Sequence, residues 1–221
     1  MFRNVSFAHN KLFAFTRTDL LFVVVVAVMG LLGIGFIFPR LKKTKSGPGP
    51  PNCVNNLKQV GLAFRLWAGD HNDKYPMQVS TNDGGPLEYM QMGDAFRLFL
   101  CMSNELATPT VLVCPADNRL PAKSFASLSN SNISYFVGLD ATETMPQMML
   151  TGDRNLAING VPVTPGLVTL KSNDVISWTA ALHNGEGNLG MADGSVQRMS
   201  TAGFRQMSRA IGTNLYRLAV P

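Results

Sequence analysis

Nineteen consecutive residues, Leu20 to Phe38 (LLFVVVVAVMGLLGIGFIF), carry no charged or strongly polar side chain. At 1.5 Å rise per residue, a helix of this length covers roughly 28 Å, close to the roughly 30 Å of a bilayer's hydrocarbon core. Lipid offers backbone groups no partner outside the segment, so the stretch reads as a spanning helix despite its valines. It is longer than the core of a signal peptide and runs into PRLKKTK with no small-x-small cleavage site, so it is expected to stay attached. Composition agrees: 15% of the 221 residues are charged, against roughly 25% in soluble domains. The net charge of +5 allows contact with acidic lipid or nucleic acid. However, the basic cluster Arg40 to Lys45 has no interleaved aromatics. It suits lipid headgroups, and nucleic acid is not an expected partner.

The fourteen residues before Phe15, MFRNVSFAHNKLFA, contain Arg3 and Lys11 and no acid, and Asp19 stands at the mouth of the span. A carboxylate there is either functional or a helix cap that complements the dipole. The stretch AFTRTDLLFVVVVAVMGLL resembles the processing signal of type IV prepilins and type II secretion pseudopilins. That resemblance implies cleavage by a prepilin peptidase between Ala14 and Phe15, and methylation of the new Phe15 amine. Asp19 takes the place of the family's Glu, Ala14 that of its Gly, and Arg17 that of an apolar residue. It further implies that Asp19 pairs with the Phe15 amine of a neighbouring subunit during filament assembly. Gly30, Gly33 and Gly35 would let adjacent spans approach closely. The implied location is the inner membrane, single-pass, with the N-terminus cytoplasmic and the globular part periplasmic or at the cell surface. Four basic residues follow the span and three precede it, so charge counting does not favour that orientation.

The domain reading is a leader at 1–14, a transmembrane helix at 15–38, a hinge at 39–52 and a globular domain at 53–221. The hinge contains Ser46-Gly47-Pro48-Gly49-Pro50-Pro51, which an unbroken helix does not accommodate. Beyond Asn52, the residues Leu57, Val60, Gly61, Phe64, Trp67 and Ala68 share one helical face, and Gly69-Asp70 ends the pattern. A second helix is expected over about 86–106. Strand signals occur at Val111–Val113, Ile133–Val137 and Val175–Trp178. Asn188 to Met199 is expected to form a hairpin turning at Asp193-Gly194, and a short helix runs from Gly203 to Ile211. Helices followed by strands argue an α+β fold, a helix packed on an antiparallel sheet, which is also the pilin-like arrangement.

Two further patterns are Cys53-Val54-Asn55-Asn56-Leu57-Lys58-Gln59 leading to Asp70-His71-Asn72-Asp73-Lys74-Tyr75-Pro76, and His183 followed after nine residues by Asp193-Gly194. They resemble a pseudopilin-like group abundant in Verrucomicrobia and Planctomycetes that carries a C-terminal His-x9-Asp-Gly element. Val113-Cys114-Pro115-Ala116-Asp117 and Ser134-Tyr135-Phe136-Val137-Gly138 extend the likeness. His183 and Asp193 could pair across the base of the hairpin. Ser195, His183 and Asp193 could be drawn as a hydrolase triad, but no nucleophile elbow or oxyanion loop accompanies them, and no enzymatic activity is expected. Asp117, Asn118, Asp153 and Asp193 are oxygen donors of the kind calcium takes, although capping of turns is the commoner use of such residues. No other cofactor is expected. Cys53 and Cys114 could join helix to sheet as a disulfide, stay as buried thiols, or pair with Cys101.

The expected function is that of a structural subunit of a type II secretion or type IV pilus-like filament, with other pilin-like subunits as partners. The alternative is a single-span anchored domain that binds a ligand, such as a carbohydrate, without polymerising.

Overall fold

A computed structural model describes residues 17–37, 53–211 and 215–221, with side chains left out at 30–37, 210, 211 and 215. The processing pair Ala14 and Phe15, the leader and the hinge lie outside the described residues. The chain divides into two units, 1–49 and 50–221. In the first, α1 (Arg17–Ile37) holds Asp19 in its opening turn, where a carboxylate complements the exposed amides of the helix start. Large apolar side chains from Leu20 to Met29 are exposed on every face of it. Among the described residues no helix is both long and apolar enough to cross a membrane. The described side chains of α1 stop at Met29, and residues 17–29 alone span only about 20 Å.

The second unit is α+β. Helix α2 (Cys53–Gly69) buries Leu57, Val60, Gly61, Ala63, Phe64, Trp67 and Ala68, while Lys58, Gln59 and Arg65 face out. This is the face that the apolar spacing predicts. The region 86–106 is not one helix: it forms α3 (Leu87–Met90), α4 (Ala95–Cys101) and α5 (Ser103–Leu106). The break falls at Gly93, whose φ is +77° and which sits so close to Gly166 that a Cβ would lie 2.3 Å from its carbonyl carbon. A continuous helix cannot hold that conformation. Val111–Val113 is not a strand either. Pro109–Leu112 is a 3-10 turn, favoured by Pro at its first position and by Thr108 ahead of it.

The strands are β1 (Tyr135–Gly138), β2 (Met149–Asp153), β3 (Leu156–Ile158), β4 (Val161–Pro162), β5 (Gly166–Lys171), β6 (Ile176–Trp178), β7 (Glu186–Met191), β8 (Val196–Ser200) and β9 (Leu215–Val220), with α6 (Thr201–Ile211) between the last two. Six of them form an antiparallel sheet in the order β5-β9-β1-β2-β7-β8, and β4-β3-β6 form a second, smaller one. β1 and β2 are buried along their whole length, as central strands covered on both faces should be.

Helix α2 crosses the β2, β7 and β8 side of the large sheet. Gly61 of the helix lies against Gly194 of the β7–β8 turn, where a Cβ on Gly61 would come 3.7 Å from the Gly194 Cα. The turn itself needs Gly194, whose φ is +83°. On the other side, α6 packs on β6 and stacks Phe204 on Trp178 at 4.4 Å between ring centres.

Candidate functional site

Cys53, the first residue of α2, and Cys114, in the loop before β1, form a disulfide across 61 residues of chain. Of the alternatives open at the sequence level, the Cys53–Cys114 pair is the one adopted, and Cys101 is free. The bond lies in a small apolar cluster with Leu57 and Tyr135, edged by Val196. The Asn56 side-chain amide donates to the Val113 carbonyl at 2.9 Å, so the start of α2 is fixed to the Cys114 loop twice over. A groove of about 470 Å³ runs along this loop, lined by Asn56, Val113, Cys114, Asp117 and Arg119 among others.

His183 reaches the same point from the loop before β7. Its Nε2 lies 3.3 Å from Cys114 Sγ, 3.3 Å from Asp153 Oδ2 and 3.2 Å from the Asn188 side-chain nitrogen. His183 and Asn184 have φ of 51° and 56°, followed by Gly185 at 85°. Non-glycine residues in the left-handed region cost about 1 kcal/mol or more each and persist only where surrounding contacts impose them. Asn155 supplies those contacts. Its side-chain nitrogen, with two hydrogens to donate, sits 2.8 to 3.1 Å from the carbonyls of Thr179, Leu182 and Glu186 and so holds the loop around His183.

Asp153, at the end of β2, is fully buried. Its Oδ2 accepts from the Asn188 backbone N–H at 2.7 Å and from the Asn188 side chain at 2.8 Å. Among the described residues its Oδ1 has no hydrogen-bond partner, nor has the buried Tyr135 hydroxyl. Burial pushes the Tyr135 phenol far above its ordinary value, and the neighbouring Asp153 charge adds to this.

The two ends of the His-x9-Asp-Gly element therefore do not meet, and the pairing open to them at the base of the hairpin is not made. The intervening strand β7 is extended, and its six residues at roughly 3.3 Å each carry Asp193 on the order of 20 Å from the His183 end. His183 pairs with Asp153 instead. Asp193 caps its own turn, its Oδ1 accepting from the Ser195 N–H at 2.8 Å, and Ser195 holds its carboxyl below the usual range. The turn docks on the α2 side through Arg65, which donates to the Asp193 carbonyl, and through Tyr75, which donates to the Ala192 carbonyl. Separation of His183 from Asp193 also removes the Ser195 triad geometry.

The calcium candidates are dispersed in the same way. Asp117 is taken up by Arg154 in a two-point ion pair at 2.7 and 2.8 Å and by the Ser134 hydroxyl at 2.8 Å. Burial alone would raise its carboxyl, but Arg154 and Ser134 outweigh burial and hold it below the usual range. Among the described residues, the one group of three or more side chains able to share a metal ion is Cys53, Cys114, Asp153 and His183. Asp117 and Asp193 do not belong to it. Asn155 and Asn188, which position Asp153 and the His183 loop, carried no sequence signal of their own: Asn155 lies in no motif, and Asn188 is one of the nine unspecified positions of the His-x9-Asp-Gly element.

No protein-family model matches the chain, and no curated protein or solved structure is significantly similar to it.

Proposed function

We propose that the chain is a structural, pseudopilin-like subunit, processed between Ala14 and Phe15 and assembled through its N-terminal helix into a type II secretion or type IV pilus-like filament. The observation that carries this reading is α1. Its helix bears Asp19 in the first turn and exposes Leu20, Phe22, Val24, Val26, Val28 and Met29 all round its axis. A helix apolar on every side is matched by lipid or by other apolar helices. The sequence continues without a charge to Phe38, which brings the segment to membrane-spanning length.

The α+β unit supports the reading in a second way. An amphipathic helix laid on an antiparallel sheet, with its start tied down by a disulfide, is a rigid body suited to display at the end of a membrane anchor. A photo-crosslinker at Val24 tests the assembly in native membranes. Adducts that contain a second copy or another pilin-like chain, and that are lost in Asp19→Ala, support it; a monomeric Val24 product in both proteins rejects it.

A further inference from the structure

A structural disulfide needs only two cysteines and apolar surroundings, yet Cys53 and Cys114 are met by a buried carboxylate and an imidazole. One ligand atom from each of Cys53, Cys114, Asp153 and His183 lies within 4.8 Å of the others. In a tetrahedral zinc site with bonds of about 2.0 to 2.3 Å, ligand atoms stand roughly 3.3 to 3.8 Å apart. The His183 Nε2 contacts to Asp153 Oδ2 and Cys114 Sγ, both 3.3 Å, already fall at that spacing. Asp153 is fully buried with Oδ1 unpartnered among the described residues. Two hydrogen bonds from Asn188 aim its other oxygen, as outer partners aim a metal-binding carboxylate.

We propose that when Cys53 and Cys114 are reduced, these two thiolates, His183 and Asp153 bind one zinc-type divalent cation, so that the start of α2 is fastened either by a disulfide or by a metal. The donor set, two sulfurs with one nitrogen and one oxygen, selects a borderline-soft ion over calcium or magnesium. The two states exclude each other, since disulfide sulfurs carry no thiolate charge. Reduction by a dithiol moves two electrons and two protons to the cysteines, and the dithiol becomes a disulfide. Zinc then displaces the two thiol protons to solvent without change of oxidation state. This site is independent of the assembly reading above.

The test uses the full chain in detergent, reduced and then titrated with Zn2+ against a chromophoric chelator, with Co2+ as the optical probe. The reduced protein is expected to bind one equivalent, and with Co2+ to show thiolate charge-transfer and tetrahedral ligand-field bands that the oxidised protein lacks. Asn188→Ala should weaken zinc binding roughly 10- to 100-fold, and His183→Ala by more. Asp153→Asn and His183→Ala are prepared oxidised, so that the disulfide holds their fold before reduction, and circular dichroism follows each sample. Equal zinc uptake by reduced and oxidised protein, or by the reduced protein and Cys53→Ala/Cys114→Ala, would overturn the proposal. So would a Co2+ spectrum without thiolate bands.

Discussion

Removal of the Cys53–Cys114 bond by the double substitution Cys53→Ala/Cys114→Ala should lower stability by about 4 kcal/mol. The bond closes a loop of 61 residues. The chain-entropy relation for that length gives about 14 cal/mol/K, or about 4.3 kcal/mol at 25 °C. Both sulfurs are buried beside Leu57 and Tyr135, so the space they leave adds to the loss rather than offsetting it. Against the 5 to 15 kcal/mol of a typical domain, this is a large share but not the whole. The assay is urea unfolding of the full chain in mild detergent, followed by tryptophan fluorescence. With a slope of about 2 kcal/mol per molar, the midpoint should fall by about 2 M. Chemical reduction of the native protein in the presence of a metal chelator should reproduce most of the shift. A midpoint change below about 0.5 M would refute the reasoning, because it would mean that the loop is already constrained in the unfolded chain or that the bond is strained.

Three further outcomes follow from named contacts. Asp117→Asn should cost about 2 to 3 kcal/mol at pH 7, less than the roughly 3 to 5 kcal/mol of a fully buried pair because Arg154 keeps 27% of its side-chain surface. Since the folded-state carboxyl lies below its unfolded value, that contribution is present above about pH 4 and is lost as pH falls through the folded value, so wild type and variant should converge in acid melts. Gly187→Ala puts a Cβ 2.5 Å from the Trp178 ring, which is backed by Phe204 and cannot retreat; about 1 to 3 kcal/mol of overpacking should lower the melting temperature by about 3 to 8 °C. Cys101, its thiol pushed up to about 11 by burial and by Glu105, should alkylate slowly in the native protein at pH 8, whereas non-reducing denaturation should release one rapidly reacting thiol per chain.

Local pattern made some of this architecture readable and left the rest hidden. The α2 face from Leu57 to Ala68 and the β7–β8 hairpin follow from spacing and from one Asp-Gly pair, both set within a dozen or so residues. β9 carries no local signal because Leu215–Val220 becomes a strand by inserting between β5 and β1, partners about 50 and 80 residues away. β2 has no alternation to read, since sheet neighbours and core cover both its faces. The break in the 86–106 region depends on Gly93 meeting Gly166, a contact made only in three dimensions. At the site, Cys53, Cys114 and His183 stood out as residue types, but their meeting with Asp153 did not. That carboxylate lies three residues beyond the apolar run Met148–Leu150 and thirty before His183, and only the β2–β7 pairing brings the two together.

The assembly reading rests on what becomes of the N-terminus. Intact-mass and N-terminal peptide mass spectrometry on protein extracted from its native membrane reads this directly. The account predicts a mature chain that begins with N-methylated Phe15. A chain that still begins at Met1 would contradict it, leaving an anchored domain that does not polymerise and reducing Asp19 to a helix cap.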